Sequence, residues 1–489
     1  MNEKYFAVPE RLTYKDIVNN KFNLSAYAYK QIITSSYAQP LRNFIESHDI
    51  GKEVGSFNYV DKSNKYFIKP RALQSDLFTL SFSKESIVPI APSVFRNYSL
   101  RQENILISKD SNIGDCVILE KDYPNYTIAG GIVRLKTKEH PYVAFALMKH
   151  PYFKLQIEKN IPRGVTIRHA KTKFLECKIP FPTQKMKVIR YIEELTKAII
   201  RKEIKIKENF QKINEKLETE IARNQKAGKF TFFYPRYVEI IKNKRLDAGT
   251  YEKEFKQIIH SIENYAGGYF TIPKNFLKGG STPTKRIIGV GEKKWVTPTI
   301  FSEYGFFTSD DKIYCKESNI TKDCALVINR TSKEKLGEHV GIASFYKFNE
   351  CGVGQHNQGC YRIEGYSAEE LELIVLILNS RIWRKICGSL SLGSKMKEMK
   401  ITHFTKIPLP ILKRELKKEL VILYDNVHEN PHYKTSLDKF EKTDAEMTAK
   451  LGILQLANQI KSIRKKIDYV IDKLIFNETI NINFDEIIF

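Results

Sequence analysis

The stretch Arg245-Leu246-Asp247-Ala248-Gly249-Thr250-Tyr251 has a counterpart in Lys21-Phe22-Asn23-Leu24-Ser25-Ala26-Tyr27, in the first half of the chain. Three further correspondences follow at an offset only slightly longer than this one: Gly131 with Gly359, Arg134 with Arg362, and Ile179-Pro180-Phe181-Pro182 with Ile407-Pro408-Leu409-Pro410. A nearly constant offset indicates an internal repeat, and a repeat has to be recognised before a fold is assigned. We therefore predict two copies of one module.

Composition points to a folded protein with a polyanionic partner. The chain has 489 residues, enough for two cores, and its hydrophobic content of 42% is that of a folded protein. Its net charge of +24 favours nucleic acid, because basic side chains neutralise phosphates and release counterions. No apolar stretch of about 18 residues suggests a membrane span, and the N-terminus lacks the apolar core of a secretory signal. We expect a cytoplasmic protein with no membrane partner.

The seven cysteines are scattered and odd in number. Cys315, Cys324, Cys351 and Cys360 could suggest a metal site, but their gaps are wide and no C-x2-C pair is present. We expect reduced and mostly buried thiols, with no metal bound by this chain.

Each half begins with short apolar runs between Gly, Pro and Tyr residues, a pattern that predicts short strands in an irregular sheet. Examples are Ile105-Leu106-Ile107, Cys116-Val117-Ile118-Leu119, Ile132-Val133-Arg134-Leu135, Leu326-Val327-Ile328 and Val340-Gly341-Ile342-Ala343. A helical pattern follows in both halves, over 142–157 and 368–386, and its apolar residues are most simply core.

Two longer segments have the periodicity of coiled-coil helices. Thr183 is a plausible N-cap for a helix that reaches about Gln225. Its apolar positions step mostly by threes and fours: Ile192, Leu195, Ile199, Ile206, Phe210, Ile213 and Leu217. The C-terminal segment is interrupted near 425–449 and then resumes the same spacing: Leu456, Ile460, Ile463, Ile467, Val470 and Leu474. Since neither helix should be stable alone, we expect them to pack against each other.

The predicted fold is α+β, with two similar mixed α/β domains joined and spaced by a pair of long antiparallel coiled-coil helices. The boundaries that we predict are 1–182 for the first domain, 183–228 for the central helix, 229–412 for the second domain and 413–489 for the C-terminal helix. Such a helix pair could act as a ruler between two DNA half-sites, or it could only connect or dimerise the domains.

This organisation resembles the specificity subunit of type I restriction–modification systems, over nearly the whole chain. The resemblance rests on three groups of residues, namely the Arg-x-Asp…Tyr opening at 245–251, the Gly279-Gly280-Ser281-Thr282-Pro283 and Trp295-Val296-Thr297 segments, and the repeated closing Ile-Pro-x-Pro. The first half has Phe22-Asn23 in place of Leu246-Asp247 and no obvious Gly-x-Thr-Pro.

The resemblance implies a non-catalytic subunit with two target-recognition domains, each reading one half of a bipartite asymmetric DNA site. It also implies partner modification subunits, expected in two copies, that dock on the two spacer helices and carry S-adenosylmethionine. It leaves room for restriction or translocase subunits that use ATP and Mg²⁺. No cofactor is expected in this chain.

The residues themselves agree that catalysis is not encoded here. The nearest string to a methyltransferase [Asn/Asp]-Pro-Pro-[Tyr/Phe] loop is Asn430-Pro431-His432-Tyr433, which lacks the second proline. Gly352-Val353-Gly354 is a lone Gly-x-Gly, and no phosphate-binding Gly-x-x-x-x-Gly-Lys-[Ser/Thr] is present. Two alternatives stay open: a self-contained DNA modification or cleavage enzyme, and a nucleic-acid-binding scaffold without base readout.

Candidate DNA contacts follow from basic and amide side chains in loops, since Arg reads guanine and Asn or Gln reads adenine. In the first domain we predict a basic loop after Pro162: Arg163, Thr166, Arg168, His169 and Lys171. In the second domain we predict the polar loop Gln355, His356, Asn357 and Gln358, together with Lys285, Arg330 and Lys395.

Overall fold

The structure is a computed structural model, and it describes residues 2–19, 22, 29–83, 85–110, 112–160, 171–183, 185–243, 245–308, 313–331, 340–393 and 396–488. The chain divides into two compact units. Unit 1 consists of Met1–Glu203, Pro431–Thr448 and Gln459–Phe489, and unit 2 consists of Ile204–Asn430 and Ala449–Asn458. Among the described helices, none combines the length and the apolar character that crossing a lipid bilayer requires.

The described α-helices are α1 Tyr14–Asn19, α2 Pro141–Lys149, α3 Pro151–Asn160, α4 Met186–Arg223, α5 Tyr237–Asn243, α6 Lys253–Glu263, α7 Phe348–Cys351, α8 Ala368–Asn379, α9 Arg381–Leu390, α10 Ile401–Phe404, α11 Arg414–Tyr424, α12 Phe440–Lys450 and α13 Ile453–Ile475. Short 3-10 helices lie at Asn2–Tyr5, Leu41–Phe44, Ser56–Asn58, Pro70–Ala72, Pro92–Val94, Lys173–Glu176, Ala248–Thr250, Lys274–Phe276 and Pro298–Ile300.

The described strands of both units are, in chain order, β1 Phe6–Ala7, β2 Gln31–Ile32, β3 Gln39–Pro40, β4 Ile45–Ile50, β5 Tyr66–Ile68, β6 Ile87–Pro89, β7 Ile105–Ser108, β8 Cys116–Ile118, β9 Tyr126–Ile128, β10 Ile132–Thr137, β11 Lys178–Ile179, β12 Tyr269–Phe270, β13 Leu277–Gly279, β14 Ile287–Ile288, β15 Lys293–Val296, β16 Ile313–Cys315, β17 Cys324–Ile328, β18 Arg330–Thr331, β19 Ala343–Tyr346, β20 Gly354–His356, β21 Cys360–Ile363, β22 Lys397–Glu398, β23 Leu409–Pro410, β24 Lys434–Thr435 and β25 Ile487–Ile488.

One sheet topology occurs in both units. Unit 1 contains an antiparallel sheet of order β4-β10-β7-β8, and unit 2 contains one of order β13-β21-β17-β19. In each sheet the last of the four strands along the chain lies between the first and the second. The register agrees as well: Arg134 lies opposite Asp49 and Leu106, and Arg362 lies opposite Lys278 and Leu326. The sequence repeat is therefore a repeat of structure.

A second sheet accompanies the first in each unit; it is a small sheet of three strands, β6-β5-β9, in unit 1 and a sheet of four strands, β14-β16-β15-β20, in unit 2. In unit 1, β5 pairs antiparallel with β6 and parallel with β9. In unit 2, β15 pairs antiparallel with β16 and parallel with β20. The buried core of unit 1 draws on both sheets, with Phe67 and Ile128 from the small sheet beside Leu106 and Ile132 from the large one. The closing motifs pair in the same way, β11 with β3 and β23 with β12.

The helices that follow each sheet are broken where single helical patterns were predicted. In unit 1, His150 separates α2 from α3 with an extended ψ of 140°, because the residue before Pro151 avoids the helical region. In unit 2, Ser380 separates α8 from α9 with ψ 155°. The predicted strand at 340–343 starts later, at Ala343, because Gly341 makes a turn at φ +90°.

Helix α4 is continuous over 38 residues, or about 57 Å at 1.5 Å per residue. It begins at Met186, three residues after the predicted Thr183 cap. The apolar residues predicted for the two spacer helices are buried, apart from the half-buried Phe210. Within unit 1, Tyr191 packs on Phe484 and Glu203 lies 3.9 Å from Arg464. At these two contacts the C-terminal chain, from Arg464 in α13 to Phe484 beyond that helix, runs opposite to α4.

The predicted interruption of the C-terminal helix is folded chain over residues 425–452, which we call the arm. Helix α11 ends at Tyr424, and α12 and α13 follow after irregular chain. Within unit 1, the arm is tied to α4 by a buried ion pair between Lys202 and Asp444, both fully inaccessible to solvent. Lys202 also donates to Thr448 Oγ1 at 3.1 Å, and Tyr433 donates to Asp444 Oδ1 at 2.8 Å. The arm is thus packed on α4 through buried polar contacts in unit 1 and is not a loose insertion.

Candidate nucleic-acid interface

In unit 2, three segments singled out in the sequence meet at one place. Ser281 N donates to His356 O at 3.2 Å, and Asn357 N donates to Val296 O at 2.9 Å. Gly280 lies so close that a Cβ atom there would be 2.0 Å from Asn357 O. Only glycine fits this approach. Main-chain contacts thus join three segments, 279–281, 295–297 and 355–359. We call the three together the glycine junction.

Unit 1 contains the same junction in residues that the sequence did not single out. Lys52 N donates to Ile128 O at 3.1 Å, and Ala129 N donates to Ile68 O at 3.0 Å. A Cβ at Gly51 would lie 2.1 Å from Ala129 O. Gly51 therefore takes the place of Gly280, although the first half has no Gly-x-Thr-Pro.

A proline completes both junctions. A Cβ at Gly131 would meet Pro70 Cγ at 3.1 Å, and a Cβ at Gly359 would meet Pro298 Cγ at the same distance. The offset from Pro70 to Pro298 along the chain equals the offset from Gly131 to Gly359. This shared offset was the signal in the sequence that could have located the first junction.

The two junctions share a frame and differ in the side chains around it. In unit 1 these side chains are mostly cationic, and each is exposed or half-buried: Lys52, Lys69, Arg71 and Lys109. The equivalent positions in unit 2 carry hydroxyl groups that are exposed or half-buried, at Ser281, Thr297 and Thr299, and the buried amide of Asn329. Gln358 is exposed where unit 1 has Gly130, and the half-buried Arg330 stands where unit 1 has Asp110. Cations suit phosphates, whereas amide and guanidinium groups also suit base edges.

Two of the predicted DNA contacts in unit 2 lie in a strand, where a polar loop was predicted. Gln355 and His356 belong to strand β20 and are 2% and 0% exposed, so they do not form a polar loop. Gln355 donates to Ser281 Oγ, and His356 Nδ1 lies 2.7 Å from Asn319 Oδ1. Burial, with Arg362 adding to it, lowers the pKa of His356 to about 4, so its ring is neutral at physiological pH. Both side chains hold the junction together.

The other predicted contacts in unit 2 have varied positions. Asn357 is half-buried and accepts a hydrogen bond from Gly359 N at 2.7 Å, which shapes the turn. Gln358 and Lys285 are exposed. Arg330 belongs to the short strand β18 opposite Glu398. Lys395 lies outside the described residues.

In unit 1, the predicted basic loop lies outside the described residues at Arg163, Thr166, Arg168 and His169. Lys171, its last member, is exposed and has the left-handed φ of +49°. The structure therefore describes only one residue of that loop, and the loop stays a prediction.

A basic residue that was not predicted lies beside the junction of unit 2. The guanidinium of Arg286 is 4.4 Å from the ring centroid of Trp295, a cation–π contact. Trp295 is buried, and its Nε1 has no hydrogen-bond partner within the described part of the chain. Trp295 corresponds to Phe67 in unit 1. Trp295 lies opposite Gln355 in the parallel pair of unit 2, and Phe67 lies opposite Thr127 in the parallel pair of unit 1.

Six of the cysteines are buried and Cys351 is half-buried, which agrees with the prediction of mostly buried thiols. Burial raises the pKa of the Cys116 thiol to about 12, so it is protonated at physiological pH. Over the residues that the structure describes, no three His, Cys, Asp or Glu side chains are grouped to hold a metal ion.

No protein-family model and no curated protein sequence matches the chain. Several solved structures are similar to it, among them three from type I restriction–modification systems. The S subunit of the type I restriction–modification system from M. genitalium is 11% identical, with a TM-score of 0.37, over 91% of this chain and 96% of that one. The HsdS subunit from Thermoanaerobacter tengcongensis is 10% identical, with a TM-score of 0.28, over 90% and 97%. A third structure, on complex assembly and conformational transition of the type I R-M system, is 11% identical, with a TM-score of 0.27, over 90% of this chain and 97% of that one.

The chain is similar to type I restriction–modification S subunits. These structures come from the family that the sequence motifs resemble.

Proposed function

We propose that the chain is the DNA sequence-recognition subunit of a type I-like restriction–modification complex. The observation that carries this proposal is the repeated glycine junction, which combines one rigid frame with two different sets of side chains. Two identical frames with different side chains suit the reading of two different short sequences. The net charge of +24 supplies the attraction to the phosphate backbone.

Each unit reads one half of a bipartite asymmetric site, and the helix pair containing α4 and α13 sets the gap. A helix of about 57 Å exceeds one turn of DNA, which is about 34 to 36 Å. The chain directs modification subunits, in two copies, to the site. Those subunits carry S-adenosylmethionine and the methyl-transfer residues, and the complex leaves room for a restriction subunit that uses ATP and Mg²⁺.

Methylome sequencing of cells with and without the gene tests this function. We expect one split motif to lose its methylation when the gene is deleted, and to regain it when the gene is restored. Replacing residues 1–182 by the corresponding domain of another such protein should change one half of the motif and leave the other half and the gap intact. Unchanged methylation after deletion would contradict the proposal.

A second candidate function is a nucleic-acid-binding scaffold without base readout, favoured by the high positive charge. Competition separates the two. A recognition subunit in complex with its partner should stay bound to the split motif when excess random duplex is added. A scaffold should be displaced from the motif in proportion to the length of the random duplex. Methyl transfer by the purified chain alone would favour the self-contained enzyme.

A further inference from the structure

Unit 2 exposes large apolar side chains in and just after helix α5, the next helix after α4 along the chain. The short helix α5 begins at Tyr237, which is 76% exposed, and Ile241 one turn later is 55% exposed. Leu246, just beyond the helix, is 89% exposed. Monomeric proteins rarely expose adjoining large apolar groups, and such patches mark interaction sites. We call these three residues the unit 2 patch.

Unit 1 exposes the same kind of residues at the same repeat positions. Helix α1 begins at Tyr14, which is 74% exposed, with Val18 at 42% and Phe22 at 62%. The separation in sequence from Tyr14 to Tyr237 equals that from Val18 to Ile241. The separation from Phe22 to Leu246 is one residue longer. The opening motifs repeat at the offset from Phe22 to Leu246. These three residues form the unit 1 patch.

The geometry of both patches suits a groove on a protein. Tyr14 and Val18, like Tyr237 and Ile241, are four residues apart and share one helix face. An aromatic and an aliphatic anchor at this spacing are what a helix inserts into an apolar groove. The charges within both helices balance, since α1 carries Lys15 and Asp16 and α5 carries Glu239 and Lys242. Mixed charges give no preference for phosphate, which disfavours DNA or an anionic membrane as the occupant.

Local contacts keep the patch helices in place without covering their apolar faces. Asp16 accepts from Thr13 N at 2.8 Å and caps α1, while Tyr14 and Phe22 meet edge to face. In unit 2, Lys256 pairs with Glu239 at 3.1 Å. Helices of six and seven residues are too short to be stable alone in water, so packing against a partner would stabilise them.

We propose that the two patches are equivalent docking sites, each for one copy of the same partner protein. Equivalent residues on both units select a partner that is present twice and offers one apolar groove per copy. This inference rests on the proposed function, under which the partner is the DNA methyltransferase subunit. It places the docking sites on α1 and α5, apart from the spacer helices.

The test uses the full chain coexpressed with the methyltransferase whose deletion removes the same methylated motif. Native mass spectrometry should give two methyltransferase copies per wild-type chain. Tyr14→Ser with Val18→Ser should leave one copy, Tyr237→Ser with Ile241→Ser should also leave one, and all four changes should leave none. The thermal midpoint of the free chain should stay within a few degrees, because these side chains are exposed.

Matched controls are Phe57→Ser in unit 1 and Val427→Ser in unit 2, exposed apolar residues outside the patches, which should keep two copies. Two copies bound by the four-residue variant would overturn the inference and leave the proposed function standing. Absence of any wild-type complex would overturn both. A wild-type chain that dimerises through the patches and loses this on substitution would make a second copy of the chain the occupant, and would also overturn the inference.

Discussion

Gly51 and Gly280 hold equivalent positions in the two units, each with its α-carbon pressed against the main chain. A Cβ would lie 2.1 Å from Ala129 O in one unit and 2.0 Å from Asn357 O in the other. No rotamer change relieves an overlap with a backbone oxygen, so a side chain here has to move a strand. The close approach explains why both junctions need glycine.

Gly280→Ala should therefore destabilise unit 2 by about 1 to 3 kcal/mol, the usual cost of forcing atoms into a packed site. Gly279→Ala is the matched control, because a Cβ there meets nothing within 4 Å. Thermal and denaturant unfolding of both variants measure the difference. Equal midpoints for the two variants would show that the junction is not tightly packed.

Breaking the buried pair between Lys202 and Asp444 should cost far more than breaking an exposed one. Asp444→Leu leaves the Lys202 ammonium buried without a counter-ion, and we expect a loss of about 3 to 5 kcal/mol. Asp438→Asn is the control, since its ion pair with Arg190 is exposed and should contribute less than about 1 kcal/mol. Urea denaturation gives both values. A small cost for Asp444→Leu would mean that the arm detaches from α4 without effect.

Glu372 should make unit 2 less stable as pH rises. Burial, reinforced by the charge of Asp425, raises the pKa of the Glu372 carboxyl from 4.5 to about 8. The other charged groups near it are Lys347, Glu369 and Asp323. The folded state then holds a proton that the unfolded state has lost, so stability is fully present below about pH 4.5 and falls until about pH 8, by a few kcal/mol as an order of magnitude.

Glu372→Gln removes this titration and should flatten the decline in stability across that pH range. Unfolding midpoints at pH 5, 6, 7 and 8 for both chains provide the measurement. Glu370→Gln is the contrasting variant, because hydrogen bonds from Ser367 lower the pKa of Glu370 and leave little to titrate in that range. Parallel pH curves for wild type and Glu372→Gln would refute the assignment.

Different side chains around the two junctions should have different effects on DNA binding. Lys52→Ala should weaken binding to all sequences alike and lower the salt slope by about one, as expected for a lost phosphate contact. Gln358→Ala should relax the preference at one base pair, by about 1 to 3 kcal/mol. Salt titrations and competition with single-base variants of the motif, on the complex with its partner, distinguish the two. A uniform effect of Gln358→Ala would remove it from base readout.

The repeat, the strand regions and the apolar faces of the long helices could be predicted from sequence, because each leaves a local pattern. Buried strands such as Ile105–Ser108 are short apolar runs, and Leu456 to Leu474 keep a helical period. The breaks at His150 and Ser380 lie inside continuous apolar patterns. The hydrophobic period of a sequence does not show where one helix ends and the next begins. Pro151 was the only local indication of the break at His150.

The site was harder to predict because its residues are joined by backbone contacts. Gln355 and His356 read as a polar loop since both side chains are hydrophilic, yet hydrogen bonds to Ser281 and Asn319 satisfy them inside the fold. Gly51 has no motif around it, and its role depends on Ala129, which is remote in sequence. Only the offset shared by Pro70 with Pro298 and by Gly131 with Gly359 pointed to it.

The shared frame of the glycine junctions has a consequence for engineering. At Lys52 and Ser281, at Lys69 and Thr297, and at Gly130 and Gln358, the two units already hold different residues on one main-chain path. These pairs mark places where side chains have been exchanged within a single molecule while Gly, Pro and strand register were kept. A retargeting library confined to these positions would vary the chemistry offered to a ligand and leave the scaffold that presents it untouched.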